Sequence, residues 1–119
     1  MENVLKVTFK GIDHSDEIEE ACHKYFKKLE QLCDRITSCH VVVSARDTDR
    51  KPGTQFHYYR LTLRVPGGEI VISHDTGKVH SLEEDARALR ETFERARARL
   101  DEFLEKRRDR SRLARADDR

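Results

Sequence analysis

The chain has 119 residues, of which 36% are hydrophobic and 39% are charged, and its formal net charge is +1. This length fits one domain with a small core, and the near-neutral total excludes strong global steering towards nucleic acid. The sequence shows neither the ~20-residue apolar stretch of a membrane-spanning helix nor the basic and apolar segments of a signal peptide, so we expect a cytoplasmic protein.

The first half of the chain predicts a strand, a helix and a second strand. Apolar and polar residues alternate over residues 4–9, which is typical of a half-buried strand. Asp13 or Ser15 can cap the helix that follows. Its apolar stripe recurs at helical spacing and comprises Ile18, Ala21, Cys22, Tyr25, Leu29 and Leu32. Residues 37–46 alternate again and are rich in β-branched side chains, so they predict a strand.

The second half begins with a predicted loop and a predicted hairpin. Asp, Pro and Gly are concentrated in residues 47–54, which indicates a loop. Strands follow at residues 56–65 and 69–74, on either side of a turn with the sequence Pro-Gly-Gly. The first of these strands has a core face made of Tyr59, Leu61, Leu63 and Val65.

The end of the chain predicts a long amphipathic helix and a charged tail. Ser81 suits the N-cap position, and we end the helix near Arg108. The apolar stripe of this helix comprises Leu82, Ala86, Leu89, Phe93, Ala96, Leu100 and Phe103 or Leu104. Residues 109–119 contain almost no apolar side chains, so we expect a flexible tail after a domain formed by residues 1–108.

The predicted order of elements is β-α-β-β-β-α. Helices that each have a single apolar stripe suit one face of a sheet. We therefore predict an α+β two-layer sandwich, in which a four-stranded, mainly antiparallel sheet carries both helices on one face and leaves its other face to solvent.

The predicted solvent face of the sheet combines cations with aromatic and small polar side chains. Its residues are Lys6, Thr8, Lys10, His40, Val42, Ser44, Arg46, Tyr58, Arg60, Thr62, Arg64 and Ser73, with Glu69 as an acid at the edge. Cations neutralise phosphates, while aromatic rings and guanidinium planes stack on bases. This face is therefore suited to RNA; the alternative is an ordinary polar surface that maintains solubility.

The last helix is the second cationic surface. On a helical projection its acids lie on the outermost side. One flank of its apolar stripe holds Arg90, Arg97 and Arg108, and the other holds Arg95, Arg99 and Lys106. Residues 106–115 alone carry six basic residues and one acid. The alternative interpretation is a helix surface stabilised by Glu–Arg pairs three and four residues apart, and the sequence leaves open which of the two surfaces faces RNA.

The sequence contains no recognisable catalytic or metal-binding motif. Its six histidines include no H-x-x-x-H or H-E-x-x-H pair. Cys22, Cys33 and Cys39 are odd in number and form no C-x-x-C pair, which argues against disulfides and a zinc knuckle. There is no Gly-rich phosphate loop and no G-x-S-x-G, so we expect neither an enzyme nor a bound metal or cofactor.

Three segments of the sequence carry a family resemblance. They are LEQLCDRI at residues 29–36 with the valines at 41–43, VPGGEI at residues 65–70, and the helical segment at residues 88–103. Together they resemble the ribosome hibernation-promoting factor and ribosome-associated translation inhibitor family, also called the sigma-54 modulation proteins, over residues 4–108. The chain stops before the C-terminal domain of the long form of that family, so we expect a short form.

This resemblance implies a non-enzymatic, stress-linked protein of the stationary phase. It would bind the small ribosomal subunit and its rRNA near the decoding centre, where it would block translation by occupancy and preserve idle ribosomes. The resemblance implies no membrane or DNA partner. It is compatible with a partner factor that dimerises ribosomes. The rRNA-binding residues carried over from the family are Arg87, Arg90, Arg95, Arg97 and Arg99, with Lys106, Arg107 and Arg108 at the helix end. From the residue pattern itself we add Arg46, Arg60 and Arg64.

Two other functions remain open at the level of sequence. A generic RNA-binding module would use the same cations without preferring ribosomes. A protein-interaction regulator would use the charged last helix and the tail, and its complexes would survive nuclease treatment.

Overall fold

The computed structural model describes residues 4–48, 51–78 and 82–117, with side chains for residues 4–45, 57–74 and 85–108. Two helices and four strands follow the predicted order. They are β1 (Leu5–Lys10), α1 (Asp16–Leu32), β2 (Ser38–Thr48), β3 (Lys51–Val65), β4 (Gly68–Lys78) and α2 (Leu82–Asp117). The predicted α+β class and element order are confirmed.

The four strands form one sheet in the order β1-β2-β3-β4. β1 and β2 are parallel, while the other two neighbouring pairs are antiparallel. A parallel pair needs a crossover between its strands, and α1 supplies it. Because side chains alternate along each strand, the register creates apolar rows across one face, such as Leu5, Cys39, Leu63 and Ile70.

Both helices pack on the apolar face of the sheet and form the core with it. The sheet contributes Val41, Val43, Tyr59, Leu61 and Leu63, all fully buried. The helices contribute Ile18, Cys22, Phe26 and Leu29 from α1 and Leu89, Phe93, Ala96 and Leu100 from α2. Phe26 was missing from the predicted stripe of α1, although it follows Cys22 by one helical turn.

Capping and turn residues define the ends of several elements. Ser15, not Asp13, is the N-cap of α1, because its Oγ accepts a hydrogen bond of 3.3 Å from the backbone N–H of Ile18. Gly67 has a φ of +88° in the turn between β3 and β4, a left-handed conformation that glycine adopts without strain. The predicted cap Ser81 lies outside the described residues.

The hairpin strands are longer than their composition predicts. Residues 47–54 were expected to form a loop, but β2 continues to Thr48 and β3 begins at Lys51. A register shift between Asp47 and Thr48 brings Thr48 opposite Lys51. β4 likewise runs to Lys78 and not only to residue 74. Once the apolar rows have set the register, backbone pairing extends the ladder into segments whose composition predicts a loop.

The predicted end of the last helix near Arg108 is also wrong. α2 continues to Asp117. Residues 109–117 contain arginine, leucine and alanine without any glycine or proline, and these residues favour helix even where no apolar stripe exists. The expectation of a flexible tail stays a prediction.

The segment of α2 that contains Phe103 packs against the turn between β3 and β4, and this contact leads to a stability prediction. A Cβ at Gly68 would lie 2.6 Å and 2.7 Å from two ring atoms of Phe103. We expect Gly68→Ala to lower the free energy of unfolding by about 1–3 kcal/mol through overpacking, measured by urea denaturation. In a Phe103→Leu background the same change should cost much less. An equal cost in both backgrounds would show that the ring contact is not the cause.

Candidate nucleic-acid interface

The open face of the sheet presents the predicted mixture of cations and polar side chains. Rows across the strands bring Thr8, Val42, Arg60 and Ser73 side by side. The side chains of Lys6, Lys10, Arg60 and Arg64 are exposed. A shallow depression in this face is lined by Lys10, Val42, Ser44, Tyr58, Arg60 and Ser73. A phosphate in this depression would meet one ammonium and one guanidinium group.

His40 lies on this face, in β2 and close to two lysines of β1. Its Nε2 is 2.8 Å from Thr8 Oγ1, and Lys6 is its direct neighbour across the strands. Burial lowers the pKa of His40, and the charges of Lys6 and Lys10 lower it further. The imidazole is therefore neutral at pH 7, so the positive charge of this region comes from the lysines.

We expect an NMR titration of the His40 ring to give a pKa below its ordinary value of 6.5. The unfolded chain then takes up this proton at a higher pH than the folded chain, so His40 reduces stability as the pH falls through 6.5. Replacing Lys6 and Lys10 by Gln should raise the pKa only part of the way, because burial remains the larger cause. A measured pKa at or above 6.5 in the wild-type protein would contradict this account.

The basic residues of α2 whose side chains are described lie on its solvent side. The side chains are exposed at Arg87, Arg90, Arg95, Arg97, Arg99, Lys106, Arg107 and Arg108. Their ion pairs are long, at 3.9 Å for Arg90 with Glu94 and 3.7 Å for Lys106 with Glu102. Exposed pairs of this kind contribute little free energy, so a phosphate can displace the carboxylates.

The predicted site residues do not form one continuous patch. Arg60 and Arg64 project from the open sheet face, whereas the basic residues of α2 belong to the helix layer on the opposite face. Arg64 is 3.9 Å from Glu69. The side chain of Arg46 lies outside the described residues, although its backbone belongs to β2. A flat RNA surface would therefore contact either the sheet cations or the helix cations.

Arg107 makes a contact that supports the fold. Its guanidinium donates a hydrogen bond to the backbone carbonyl of Pro66 and lies over Gly67. This contact holds α2 against the turn between β3 and β4. Arg107 therefore has a role in the fold in addition to its predicted role in binding.

Sequence reasoning missed a buried polar network that joins α2 to β3. Asp85 Oδ1 accepts a hydrogen bond of 2.5 Å from the hydroxyl of Tyr59 and lies 2.6 Å from His57 Nδ1. All three residues are buried. Burial and the bond to Asp85 raise the pKa of Tyr59, so its hydroxyl stays protonated and can donate.

The predicted apolar stripe of α2 contained an error, and because of this error the sequence analysis missed the buried network. Ala86 was expected to face the core, but it is exposed, and Asp85, Ala88 and Thr92 are buried instead. Asp85 was absent from the predicted stripe. Its position three and four residues before Ala88 and Leu89 was the available signal that it lies on the buried side.

One group of side chains in the described part of the chain has the composition of a metal site. His14, Asp16 and Glu19 bring their ligand atoms within 4.8 Å of one another. His14 Nε2 is 2.9 Å from a carboxylate oxygen of each acid, and the group lies at the N-terminus of α1, where acids are favourable. These contacts explain why the three side chains lie together as an ion-pair cluster on the surface.

The fold and the exposed cations define a class of protein: a small α+β domain with exposed basic residues on its sheet face and on its last helix. Over residues 5–112 the chain matches the family of sigma 54 modulation protein / S30EA ribosomal protein. The chain belongs to this family, which confirms the resemblance to the ribosome hibernation factors. A comparison with curated proteins gave no match. Within the described residues, no helix is long and apolar enough to cross a membrane.

Solved structures of low sequence identity share the fold. A ribosomal subunit interface protein from Coxiella burnetii is 12% identical with a TM-score of 0.61, and the match covers 83% of this chain and 97% of that one. The N-terminal domain of Protein Y from Thermus thermophilus is 16% identical with a TM-score of 0.65, and the match covers 86% of this chain and 99% of that one.

Proposed function

We propose that this protein is a translation inhibitor that binds the small ribosomal subunit, occupies its decoding and tRNA region, and holds idle ribosomes inactive. Family membership supports the ribosome as the target. The observation that carries the proposal is the exposure of the predicted binding residues. Every one of them whose side chain is described is exposed, and the ion pairs that they form with other described side chains are at least 3.7 Å long.

The proposed mechanism requires no bond to be made or broken. Strands and helix fix the backbone positions of the basic residues before binding, so the ordering that opposes association is confined to their exposed side chains, at about 0.5–1.5 kcal/mol each. Each phosphate that is neutralised releases counterions from the rRNA. Occupancy of the tRNA path then excludes the substrates of translation. Stress-linked production in the cytoplasm and a stationary-phase role are parts of the same proposal.

Sedimentation of the purified protein with vacant small subunits tests the proposal. We expect it to sediment with the subunits at about 50 mM salt and to be released at about 200 mM, because phosphate contacts are salt-sensitive. Prior binding of mRNA and tRNA should prevent association. Large subunits serve as the control.

Two results would contradict this function. Protein that stays at the top of the gradient at both salt concentrations does not bind ribosomes. Equal affinity for any structured RNA, with no effect of bound tRNA, would favour a generic RNA-binding module.

A further inference from the structure

The two helices leave a groove between them, which we call the interhelical groove. Its floor consists of Tyr25 and Leu29 from α1 and Phe93 from α2. The rings of Tyr25 and Phe93 are 5.7 Å apart and inclined at 40°. Tyr25 is half-buried, whereas Phe93 is buried. A ligand that enters the groove therefore meets an aromatic and aliphatic floor with Tyr25 as its accessible ring.

The rim of the interhelical groove is cationic. Lys28 from α1 and Arg90 and Arg97 from α2 surround the floor, together with Glu94 as the acid. All four side chains are exposed. Glu94 is 3.9 Å from the Nε of Arg90, a distance too long for a strong hydrogen bond. Three positive groups against one acid favour an anionic ligand.

An aromatic floor beside a basic rim matches the chemistry of a nucleotide. Single-stranded nucleic acid is bound by cations that contact the backbone and by rings on which bases stack. Duplex RNA shows its phosphates on the outside and keeps its bases stacked internally, so it would use the rim but not the floor. Of these two forms of RNA, the one with an unstacked base explains both parts of the groove.

We propose that the interhelical groove takes one unstacked nucleotide of an RNA chain, with its base on Tyr25 and its phosphate between Lys28, Arg90 and Arg97. This inference rests on the proposed function and adds to it. The target is then a bulged or unpaired position of the rRNA, and the helix side of the domain contributes contacts to a base as well as to phosphates.

The contact between Lys28 and the Tyr25 ring has to break when the base enters the groove. The Nζ of Lys28 lies 5.8 Å from the centre of the Tyr25 ring. Base stacking on an aromatic ring is worth more than an exposed cation–π contact. Lys28 is long, flexible and exposed, so its ammonium group can move from the ring to the phosphate. The same residue thus covers the ring in the unbound protein and binds the backbone in the complex.

A pair of substitutions at Tyr25 separates stacking from other effects. We expect Tyr25→Leu to weaken binding to small subunits by about tenfold, since stacking contributes on that scale, and Tyr25→Phe to change it less than about twofold. Circular dichroism and thermal melting check that both variants fold. If Tyr25→Leu binds as well as the wild-type protein, the groove does not hold a base.

Substitution at the rim provides a test that leaves the core untouched. Arg97→Gln should weaken binding severalfold and reduce the salt dependence by the equivalent of about one phosphate contact. Lys24→Gln, on the outer side of α1, is the matched control and should leave both unchanged. Equal salt dependence for Arg97→Gln and the wild-type protein would overturn the proposal.

Cross-linking identifies what occupies the groove. With a photoreactive benzoylphenylalanine at position 25, the expected product is a cross-link to an unpaired rRNA nucleotide. A cross-link to a ribosomal protein or to a base-paired segment would overturn the inference. So would saturable binding of free AMP that Tyr25→Leu abolishes while ribosome binding is unchanged. Failure of the wild-type protein to bind ribosomes would instead overturn the proposed function itself.

Discussion

Reversing the charges of Arg95 and Arg99 together is expected to weaken binding to small ribosomal subunits by about 100-fold or more. The two residues are exposed and lie one helical turn apart on the same flank of α2. A charge-assisted contact contributes about 1.5–3 kcal/mol, so losing two of them corresponds to at least about 3 kcal/mol. Quantitative pelleting of the Arg95→Glu, Arg99→Glu variant measures the loss.

A matched control separates a local contact from a change in net charge. Lys24→Glu with Lys27→Glu alters the charge by the same amount on the outer side of α1, where both side chains are exposed. This variant should lose much less affinity. Both variants should melt like the wild-type protein, because none of the four side chains is buried. Equal losses in the two variants would mean that net charge, not this flank, governs binding.

The Asp85 variant is expected to show the largest loss of stability. Asp85→Ala removes the acceptor shared by Tyr59 and His57 in the interior. Removing a hydrogen-bond partner of a buried polar group costs about 1–3 kcal/mol, and Asp85 is a partner of two such groups, so the change removes a large part of the stability of a small domain. Urea denaturation at pH 7 measures the effect.

Two milder substitutions test whether the burial of the Asp85 carboxylate is the reason for the expected loss of stability. Tyr59→Phe keeps the ring and should cost only about 1 kcal/mol. Glu91→Ala removes a half-exposed carboxylate that is 3.4 Å from His74 and should cost less than about 1 kcal/mol. If Asp85→Ala proved as mild as Glu91→Ala, the network would not hold α2 on the sheet.

Sequence periodicity predicted the helices and strands of this fold, because burial in the core requires apolar residues at the spacing of a strand or a helix. In β3, Tyr59, Leu61 and Leu63 alternate with exposed or half-buried residues, and all three are fully buried. The spacing of Leu89, Phe93, Ala96 and Leu100 likewise predicted the inner side of α2. Element ends were less predictable. Backbone hydrogen bonds extend the ladder beyond Asp47 and the helix beyond Arg108. Amino-acid composition is a poor guide to where such hydrogen bonds end.

The individual binding residues were easier to predict than their arrangement. Arginines on the polar side of an amphipathic element are exposed almost by necessity, and Arg60, Arg95 and Arg99 are all exposed. Their separation onto two faces depends on which side of the sheet the helices cover. The interhelical groove depends on the packing of α1 against α2, so Tyr25 had been assigned only to the apolar stripe.

The order of residues along the chain by itself determined the α+β class, the two faces of the sheet, the exposed cations and the resemblance to ribosome hibernation factors. These properties follow from periods of two and 3.6 residues and from short motifs, which are local. Tertiary structure alone decided that Asp85 meets His57 and Tyr59, and that Tyr25 and Lys28 line one groove with Arg90 and Arg97. Such contacts join residues far apart in the chain, and they exist only once both helices have packed on the sheet.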